Sequence, residues 1–429
     1  MRRSIASAGR GAQVLAIGLS MAVGPAGAAE ALTLEDYFAQ ALRRSEAIAS
    51  QSELIHQAEE RYRQAGAALR PTLSGIATYT WQESGAINTT ITPTRQPNAR
   101  LAATQPLFRG FREFAALRQT QALVDAQGAE YRNARLQLFQ DVAQNFYEVL
   151  SLEQDLKNLD EQIGLNRQRQ RELEERIRIG RSRVGEVLTV QSAVSTLNAQ
   201  VEQLRAQLAA AREALAFLSG LDAATPLTDT EPLSANLAPL DDYLARIPLR
   251  PDVQAAQQRL AAAEENVAVA KGAHLPSLDL NANHYLKRSG NLENVDWDVQ
   301  LALTVPLYAG GATQSLVREA MSQSTQAELA ASQARRQAEQ EIRAAHQVAA
   351  LDRTQLGALE RATEAARRNY EAQRRDYRLG LVTNLDVLQA LTDFQENERA
   401  LDRARFAAKL NFLRLQTAAV YRPVADAAP

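Results

Sequence analysis

Hydrophobic and polar residues alternate with a period of two in two short parts of the chain. At residues 73–81 the odd positions are mostly apolar and the even positions mostly polar, and residues 297–305 repeat this alternation. A period of two places one kind of side chain on each face of a β-strand. The pattern therefore predicts two β-hairpins, at about residues 71–108 and 276–308, with one apolar and one polar face.

The two hairpin segments end in nearly the same phrase, which indicates an internal duplication. Residues 104–110 are Thr-Gln-Pro-Leu-Phe-Arg-Gly, and residues 304–310 are Thr-Val-Pro-Leu-Tyr-Ala-Gly, 200 positions later. The prolines that precede the hairpins, Pro71 and Pro276, lie 205 positions apart instead. We assign the five extra residues to the loop of the first hairpin, because exposed loops accept insertions.

Outside the hairpins, apolar residues recur at intervals of three and four, which predicts long helices. The first long helix ends at a turn near residues 179–186, and a returning helix follows. Their apolar stripes have coiled-coil spacing and consist of Phe139, Val142, Phe146, Val149, Leu152, Leu156, Leu159 and Ile163, and of Val194, Leu197, Val201, Leu204, Leu208, Ala211, Leu215 and Leu218. We expect these helices to pair as an antiparallel hairpin. A second long helix to Leu379, a turn near residues 379–386 and a last helix to about Tyr421 repeat the arrangement.

The first 29 residues have the basic start, the apolar centre and the small-residue end of a secretory signal peptide. The rest of the chain divides into a first repeat at 30–219, a connector at 220–248 and a second repeat at 249–429 that ends in a short tail. Thr33 is expected to cap the first helix, with Asp36 at the reciprocal capping-box position. Helical pattern then continues to about Leu69, where Pro71 ends it.

Charge and composition exclude several classes of function. The 48 basic and 50 acidic residues, or 45 and 50 without the signal arginines, leave no excess of basic residues for nucleic acid. The four histidines are scattered without metal-ligand spacing, and Gly310 and Gly311 lack the lysine and the spacing of a phosphate loop. We therefore expect no enzyme and no cofactor. There is no cysteine for a disulfide or for a lipid anchor.

The hairpins have two possible environments. In the more common case, a small sheet buries its apolar face on a soluble core, but the neighbouring helices are polar and alanine-rich and offer little cover. A transmembrane barrel with a water-filled interior also needs strands of about ten residues with one polar face. No apolar segment is long enough for a membrane helix. Since four strands cannot close a barrel and small barrels have about eight, several chains must contribute.

Five phrases in this order resemble the TolC-like outer-membrane efflux proteins, also called outer membrane factors, over nearly the whole mature chain. They are Leu-Thr-Leu-Glu-Asp at 32–36, Gln-Pro-Leu-Phe at 105–108, Leu-Arg-Pro-Asp at 249–252, Val-Pro-Leu-Tyr-Ala-Gly-Gly at 305–311, and Tyr-Arg-Leu-Gly at 377–380 followed by Asp-Val-Leu at 386–388. The resemblance implies a mainly α fold with a small β part: a homotrimer whose strands form a twelve-stranded barrel in the outer membrane and whose helices form a periplasmic tunnel.

The same resemblance implies a passive export channel for efflux or type I secretion. It would be surrounded by outer-membrane lipid and would work with a periplasmic adaptor and an inner-membrane transporter of the RND or ABC type. The competing interpretation is a periplasmic coiled-coil scaffold or a surface adhesin without a pore. Drugs, metals and proteins all remain possible cargoes.

The resemblance also implies a pore constriction at the two helix turns. Asp386, with Glu186 at the equivalent place in the first repeat, would face the narrow mouth, although both could simply favour helix N-termini. A second acidic position of the family is Gln389 here, and a tip arginine is replaced by Val382, whereas Tyr377 is retained.

Further tip residues are expected to contact the gate or the adaptor. The candidates for tip contacts are Arg181, Arg183 and Arg378. Of these, Arg181 and Arg183 are expected to be either solvated or paired with the carboxylates of Glu186 and Asp386. The grooves that receive the adaptor are expected at the residues of the turns themselves, which are Gly180, Leu379 and Gly380.

Overall fold

The computed structural model describes residues 31–83, 94–233, 237–289 and 292–420. The predicted signal peptide and most of the C-terminal tail lie outside these ranges, as does most of the first hairpin loop. In the described part of the chain, no helix is both long enough and apolar enough to cross a membrane.

The chain is mainly helical with one small sheet, which confirms the predicted fold class. The elements in order are α1 (Leu34–Arg44), α2 (Glu46–Ala67), β1 (Thr72–Trp81), β2 (Arg95–Arg109), α3 (Arg112–Arg178), α4 (Val184–Ser219), α5 (Leu240–Leu244), a 3-10 turn (Ile247–Leu249), α6 (Pro251–Gly272), β3 (Ser277–Lys287), β4 (Trp297–Thr304), α7 (Ala312–Leu379) and α8 (Asn384–Ala418).

The four strands form a single antiparallel sheet in the order β1-β2-β3-β4. Thr72 of β1 lies opposite Thr104 of β2, and Ser277 of β3 lies opposite Thr304 of β4. These pairs are related by the same offsets of 205 and 200 residues that relate the repeated phrases. The two hairpins therefore share one register, and β1 and β4 form the two edges of the sheet.

The long helices pack as antiparallel pairs, α3 with α4 and α7 with α8. The apolar stripes predicted from the sequence lie between α3 and α4, where Leu159, Ile163 and Val201 belong to one buried cluster. Helix α3 also packs against both α2 and α6, whereas α7 packs extensively against α6. At about 1.5 Å per residue, α3 and α7 are each about 100 Å long.

Local chain chemistry explains where the helices begin and end. Thr33 and Asp36 form the predicted capping box at the start of α1. The prediction of an uninterrupted helix to Leu69 was wrong, because Ser45 adopts extended backbone and its Oγ accepts a hydrogen bond from the Ile48 N–H, so that α2 starts anew. The last helix ends at Ala418, three residues earlier than expected.

A buried arginine joins three elements at the start of the second repeat. The Arg250 side chain is 10 % exposed and donates hydrogen bonds to the carboxylates of Asp252 and Glu341, both at 2.7 Å. It also donates to the carbonyl oxygen of Ala418 at 3.0 Å. Arg250 thus connects the beginning of α6 with the middle of α7 and the end of α8.

Replacing Arg250 with alanine is expected to destabilise the helical body by about 1–3 kcal/mol, because it removes several charge-assisted bonds from a nearly buried site. Thermal unfolding of the detergent-solubilised protein would measure the loss. The matched control is Arg343→Ala, since Arg343 pairs with Glu339 on an exposed helix face, where such a pair contributes less than about 1 kcal/mol. Equal losses in the two variants would contradict the role of Arg250.

Candidate functional site

One face of the sheet presents a continuous set of exposed apolar side chains. Cross-strand partners lie on the same face, so the register places Leu101 beside Gly75, and Leu280 beside Leu301. Large and strongly exposed apolar side chains on this face include Leu73, Tyr79, Trp81, Leu286, Trp297, Leu301 and Leu303. A single chain therefore leaves this face without cover from its own helices.

The opposite face carries hydrogen-bonded polar side chains. The Thr104 hydroxyl donates to Asn281 Oδ1 at 2.9 Å, which connects β2 with β3. Asp298 accepts hydrogen bonds from the amide of Asn283 and from the hydroxyl of Tyr285, both at 2.8 Å. Charged and amide groups of this kind are stable beside water. The sheet thus separates an apolar surface from a polar one, as its alternating sequence predicts.

The far ends of the long helices are closed by two similar turns. Gly180 and Gly380 have φ values of 71° and 77°. In the first turn, the N–H groups of Gly180 and Arg181 donate to the carbonyls of Ile177 and Arg176. The N–H groups of Gly380 and the next residue make the equivalent bonds. This is the Schellman arrangement, in which glycine supplies the left-handed conformation that ends a helix.

Tyr377 is the centre of the contacts between the two turns. Its ring is buried among Leu173, Val190 and Val387, which come from three other helices. The guanidinium carbon of Arg169 lies 3.9 Å from the ring centroid, and that of Arg176 lies 4.5 Å from it. Both distances allow a cation–π contact. The ring therefore holds four helix ends together.

Glu186 faces into this cluster. Its Oε2 accepts a hydrogen bond from the hydroxyl of Ser182 at 2.5 Å and a longer one from the hydroxyl of Tyr377 at 3.4 Å. A groove of about 720 Å³ beside it is lined by Arg181, Arg183 and Val382, among others. The structure therefore brings five of the predicted tip residues together at this groove, from both repeats, which are Arg181, Arg183, Glu186, Tyr377 and Val382.

Asp386 has a different position, on the exposed side of α8. Its Oδ2 accepts hydrogen bonds from the backbone N–H of Thr383 at 2.8 Å and from the Thr383 hydroxyl at 2.6 Å. These bonds, with the hydroxyl contributing most, hold the pKa of the Asp386 carboxyl below its ordinary value. Asp386 thus completes a capping box while remaining exposed to solvent.

Gln389 lies one turn further along α8 and donates a hydrogen bond to Asp393 Oδ1 at 2.8 Å. With Leu188 and Ser192 it lines a second groove, of about 770 Å³, between α4 and α8. Arg378 is exposed in the last turn of α7, where a cation interacts favourably with the helix dipole. Neither residue belongs to the cluster around Tyr377.

Two polar residues of the tip were missed by the sequence analysis. Arg169 is buried, and its Nε donates to Asn384 Oδ1 at 2.9 Å, which joins α3 to the start of α8. The sequence signal that could have revealed a buried arginine was the position of Arg169, six residues after Ile163, which ends the apolar stripe of α3. A charged residue so close to a coiled-coil seam needs a partner.

Exposed apolar side chains surround both turns. They include Ile179, Val184, Leu379, Leu381 and Leu385. These residues come from both repeats and lie at the end of the helical body. Together with the exposed side chains of Arg181 and Arg183 they form a mixed apolar and basic surface.

The comparison with protein families decides the class of this protein. A family model described as "Outer membrane efflux protein" matches residues 38–221 and 247–419, which include both repeats. The chain belongs to the outer membrane efflux protein family. The matched segments contain the sheet, both turns and the four long helices, whereas α5 and most of the connector lie between them.

Named relatives and a solved structure agree with this membership. Protein CyaE of Bordetella pertussis is 28 % identical over 53 % of this chain, and the match spans only half of CyaE. Outer membrane protein TolC of Vibrio cholerae is 25 % identical over 68 % of this chain and 69 % of its own length. A crystal structure of CusC has the same fold, with a TM-score of 0.80 over 90 % of this chain and 91 % of the other, at 21 % identity.

Membership of the outer membrane efflux protein family confirms the predicted location, in the outer membrane and reaching into the periplasm. It also confirms the predicted class of function, an outer-membrane efflux or secretion channel, in preference to a scaffold or an adhesin. Of the relatives, TolC of Vibrio cholerae is named as an outer membrane protein, and CusC of Escherichia coli is named as a cation efflux system protein.

Proposed function

We propose that three copies of this chain form the passive outer-membrane duct of a tripartite efflux or type I secretion system. The observation that carries the proposal is the two-faced sheet with two free edges. The apolar face of such a sheet is suited to lipid and the polar face to a water-filled interior. Only when the sheet closes into a cylinder can the apolar face contact lipid while the polar face contacts water.

The order of the strands supports closure by further copies of the chain. All neighbouring strands are antiparallel, so β4 of one copy lies antiparallel to β1 of the next without a change of direction. Four strands from each of three copies give twelve, within the range known for outer-membrane barrels. Closure also removes the unpaired edges.

The long helices continue this barrel as a periplasmic tunnel whose mouth lies at the two turns. Transport through the tunnel requires energy from a partner, and we propose a periplasmic adaptor together with an inner-membrane transporter of the RND or ABC type. The adaptor binds the exposed apolar and basic surface around Gly180, Leu379 and Gly380. Exposed apolar residues concentrated at one end of a helical body are typical of a protein interaction site.

At the mouth we propose a constriction of three Asp386 carboxylates, one from each copy. A ring of carboxylates in a narrow pore attracts cations. The Glu186 carboxylate is hydrogen-bonded to Ser182 and Tyr377 of its own chain. It therefore contributes less negative charge to the mouth than Asp386 does. Gln389 places a neutral amide one helical turn beyond the ring, where it adds no further charge.

Replacing Asp386 with asparagine is expected to reduce the cation preference of the channel several-fold. Asparagine retains an oxygen that accepts the Thr383 hydrogen bonds, so the α8 cap is kept while the charge is lost. The measurement is the reversal potential of single channels in a planar bilayer under a salt gradient. If the wild-type protein forms no channel, the proposed duct is wrong; if both proteins have the same preference, only the ring is wrong.

The wild-type preference should also depend on pH in a defined direction. In the single chain, the Thr383 hydrogen bonds hold the pKa of Asp386 below its ordinary value of 3.8, and they oppose the rise that repulsion among three carboxylates causes. We therefore expect the carboxylates to remain charged as the pH falls from 7 to 5. The cation preference and the cap are therefore retained over this interval and are lost only as the pH falls through the lowered pKa. A loss above pH 5 would contradict this assignment.

A further inference from the structure

The strand ends that lie away from the helices carry aromatic and basic side chains on the apolar face. Trp81 ends β1 and lies opposite Arg95, the first residue of β2. Trp297 begins β4 and lies opposite His284. Cross-strand partners share a face, so these four exposed residues lie on the apolar face. The odd-numbered residues of β2 from 95 to 103 lie on that face for the same reason.

These strand ends are separated from the helices by the thickness of a membrane. Strand β1 has ten residues, which at about 3.3 Å each and with a tilt of about 40° span about 25 Å. Helices α2, α3, α6 and α7 all join the strands at the opposite end. In the proposed duct these helices lie in the periplasm, so the Trp81 end of the sheet lies at the outer leaflet.

A β-bulge adds a second basic residue to the apolar face. Arg100 of β2 lies opposite Tyr285, but Ala99 lies opposite Lys287, so that Leu286 is an extra residue in β3. Simple alternation would place Lys287 on the polar face with Tyr285. The bulge reverses the alternation that follows it, and the exposed Lys287 therefore shares the apolar face with Ala99.

The stagger of the strands places Lys287 at about the same depth as Trp81. The first residues of β1 and β3 lie opposite positions 104 and 109 of β2, which are five residues apart. The last residues of β1 and β3, Trp81 and Lys287, lie opposite positions 95 and 99, which are four residues apart. Nearly constant stagger of this kind is that of strands tilted in a barrel, so both strands end at a similar level.

The arginines of the polar face have a carboxylate partner. Arg100 and Arg288 both interact electrostatically with Asp298, which also accepts a hydrogen bond from the Tyr285 hydroxyl at 2.8 Å. Asp296 accepts a backbone hydrogen bond from Tyr285 and so belongs to the same face. The positive charges of the polar face are therefore balanced within the chain.

The two basic residues of the apolar face have no such partner. In the part of the chain that the structure describes, neither Arg95 nor Lys287 forms an ion pair. Glu83 and Glu293 lie beyond the ends of the strands. Residues 84–93 and 290–291, outside the described ranges, contain no aspartate or glutamate. The strands of this face therefore carry two cations without a carboxylate to balance them.

Trp81 holds the side chain of Arg95 in place. The guanidinium carbon of Arg95 lies 5.3 Å from the centroid of the Trp81 ring, within the range of a cation–π contact. Trp81 in turn packs edge-on against Tyr79, with the ring centroids 5.9 Å apart. A stacked guanidinium keeps its N–H groups free in its own plane, where they match the oxygen atoms of a phosphate.

We propose that Arg95 and Lys287 bind the phosphate groups of the lipopolysaccharide that forms the outer leaflet of the outer membrane. This inference rests on the proposed duct, in which the apolar face contacts lipid, and names a lipid that the sheet recognises. A cation on the lipid face is tolerated at the interface far better than at the bilayer centre. Lys287 also extends its flexible side chain towards the interface.

The spacing of the two cations favours a ligand with two phosphates. Lys287 lies opposite a residue four positions from Arg95, which separates the two side chains by about 13 Å along the strand. A single phosphate does not contact both cations at this separation. The lipid A part of lipopolysaccharide carries a phosphate at each end of a disaccharide, so that one molecule supplies a partner for each cation.

Native mass spectrometry of the detergent-solubilised full-length protein, titrated with bisphosphorylated lipid A, tests this site. R95Q/K287Q should raise the dissociation constant about tenfold or more, because charge-assisted contacts to phosphate are lost. The matched control is R100Q/R288Q, which removes the same charge from the polar face and should bind lipid A like the wild type. R95Q and K287Q alone should each cause part of the loss, so the test also holds if the double variant does not assemble.

Two further lipids identify the group that is bound. Lipid A without its phosphates should bind the wild type about tenfold more weakly than bisphosphorylated lipid A does. Phosphatidylglycerol, which has one phosphate and no disaccharide, should also bind more weakly. Equal binding of phosphatidylglycerol and bisphosphorylated lipid A would overturn the assignment to lipopolysaccharide.

The remaining outcomes separate this site from the duct. If R95Q/K287Q and R100Q/R288Q weaken binding equally, or if neither does, the proposed site is wrong. Wild-type channels in a planar bilayer, recorded together with either result, would leave the duct intact. A wild-type protein that forms no channel and is monomeric in detergent would overturn the duct itself.

Discussion

Replacing Leu301 with arginine is expected to prevent the protein from assembling in the outer membrane. Leu301 is 61 % exposed in the middle of the apolar face of β4. An arginine on the lipid face of a barrel costs about 2–4 kcal/mol near the bilayer centre, and a trimer would incur this cost three times. The measurement is the amount of heat-resistant trimer in the detergent-extracted outer-membrane fraction.

The matched control for Leu301→Arg is Gln300→Arg. Gln300 is the neighbouring residue of β4 and lies on the polar face, opposite Asn281. In the proposed barrel an arginine there would face the water-filled interior, so that trimers should form at near wild-type amounts. If Gln300→Arg prevents assembly and Leu301→Arg does not, the polar face is the one in contact with lipid, and the proposed orientation of the sheet is wrong.

Replacing Tyr377 with alanine is expected to loosen the packing at the two turns, which form the mouth of the proposed tunnel. The ring is only 6 % exposed and contacts Leu173, Val190 and Val387, and removal of a large buried aromatic side chain costs about 3–5 kcal/mol. Because these contacts join separate helix ends, the loss should appear as local opening rather than as unfolding of the whole chain. Amide hydrogen exchange at both turns should become roughly 10²-fold faster, and single-channel conductance should increase.

Tyr377→Phe separates the ring from its hydroxyl. The hydroxyl makes only a long hydrogen bond to Glu186, at 3.4 Å, whereas the ring provides the packing and the contact with Arg169. Phenylalanine should therefore retain nearly wild-type exchange and conductance. If the two variants open the tip equally, the hydrogen bond and not the buried ring closes it.

The features that could be predicted from the sequence are those that depend on periodicity. Alternation at residues 73–81 predicted a strand with two different faces, because the strand period is independent of the surrounding fold. The coiled-coil stripes likewise predicted which faces of α3 and α4 are buried. The capping box at Thr33 was predictable because all its groups lie within four residues.

Most of the features that were missed depend on residues far apart in the chain. The partner of Arg169 is Asn384, 215 positions away, and Arg250 reaches Ala418 across the second repeat. The position of Arg169 near the coiled-coil seam indicates only that it needs a partner. Which residue that partner is has no local signal in either pairing.

The break at Ser45 was also missed, because serine is tolerated within a helix as well as at its start.

The site itself was predicted only in outline. The sequence placed Tyr377, Glu186 and Asp386 near the two turns, and the structure shows that the first two belong to one cluster while the third is exposed. This difference arises from the order of the helix ends around the ring of Tyr377. That order is set by the packing of four helices, which periodicity alone does not specify.

The two turns are unlike, since Glu186 is bonded to Ser182 and Tyr377 of its own chain whereas Asp386 is exposed to solvent. This difference shows what gene duplication makes possible. A ring of six identical single units would have to repeat every side chain at all six positions. Joining two units in one polypeptide releases alternate positions from that constraint. One set of positions can then diverge to anchor the assembly while the other diverges to meet the solute, and each can evolve without altering the other.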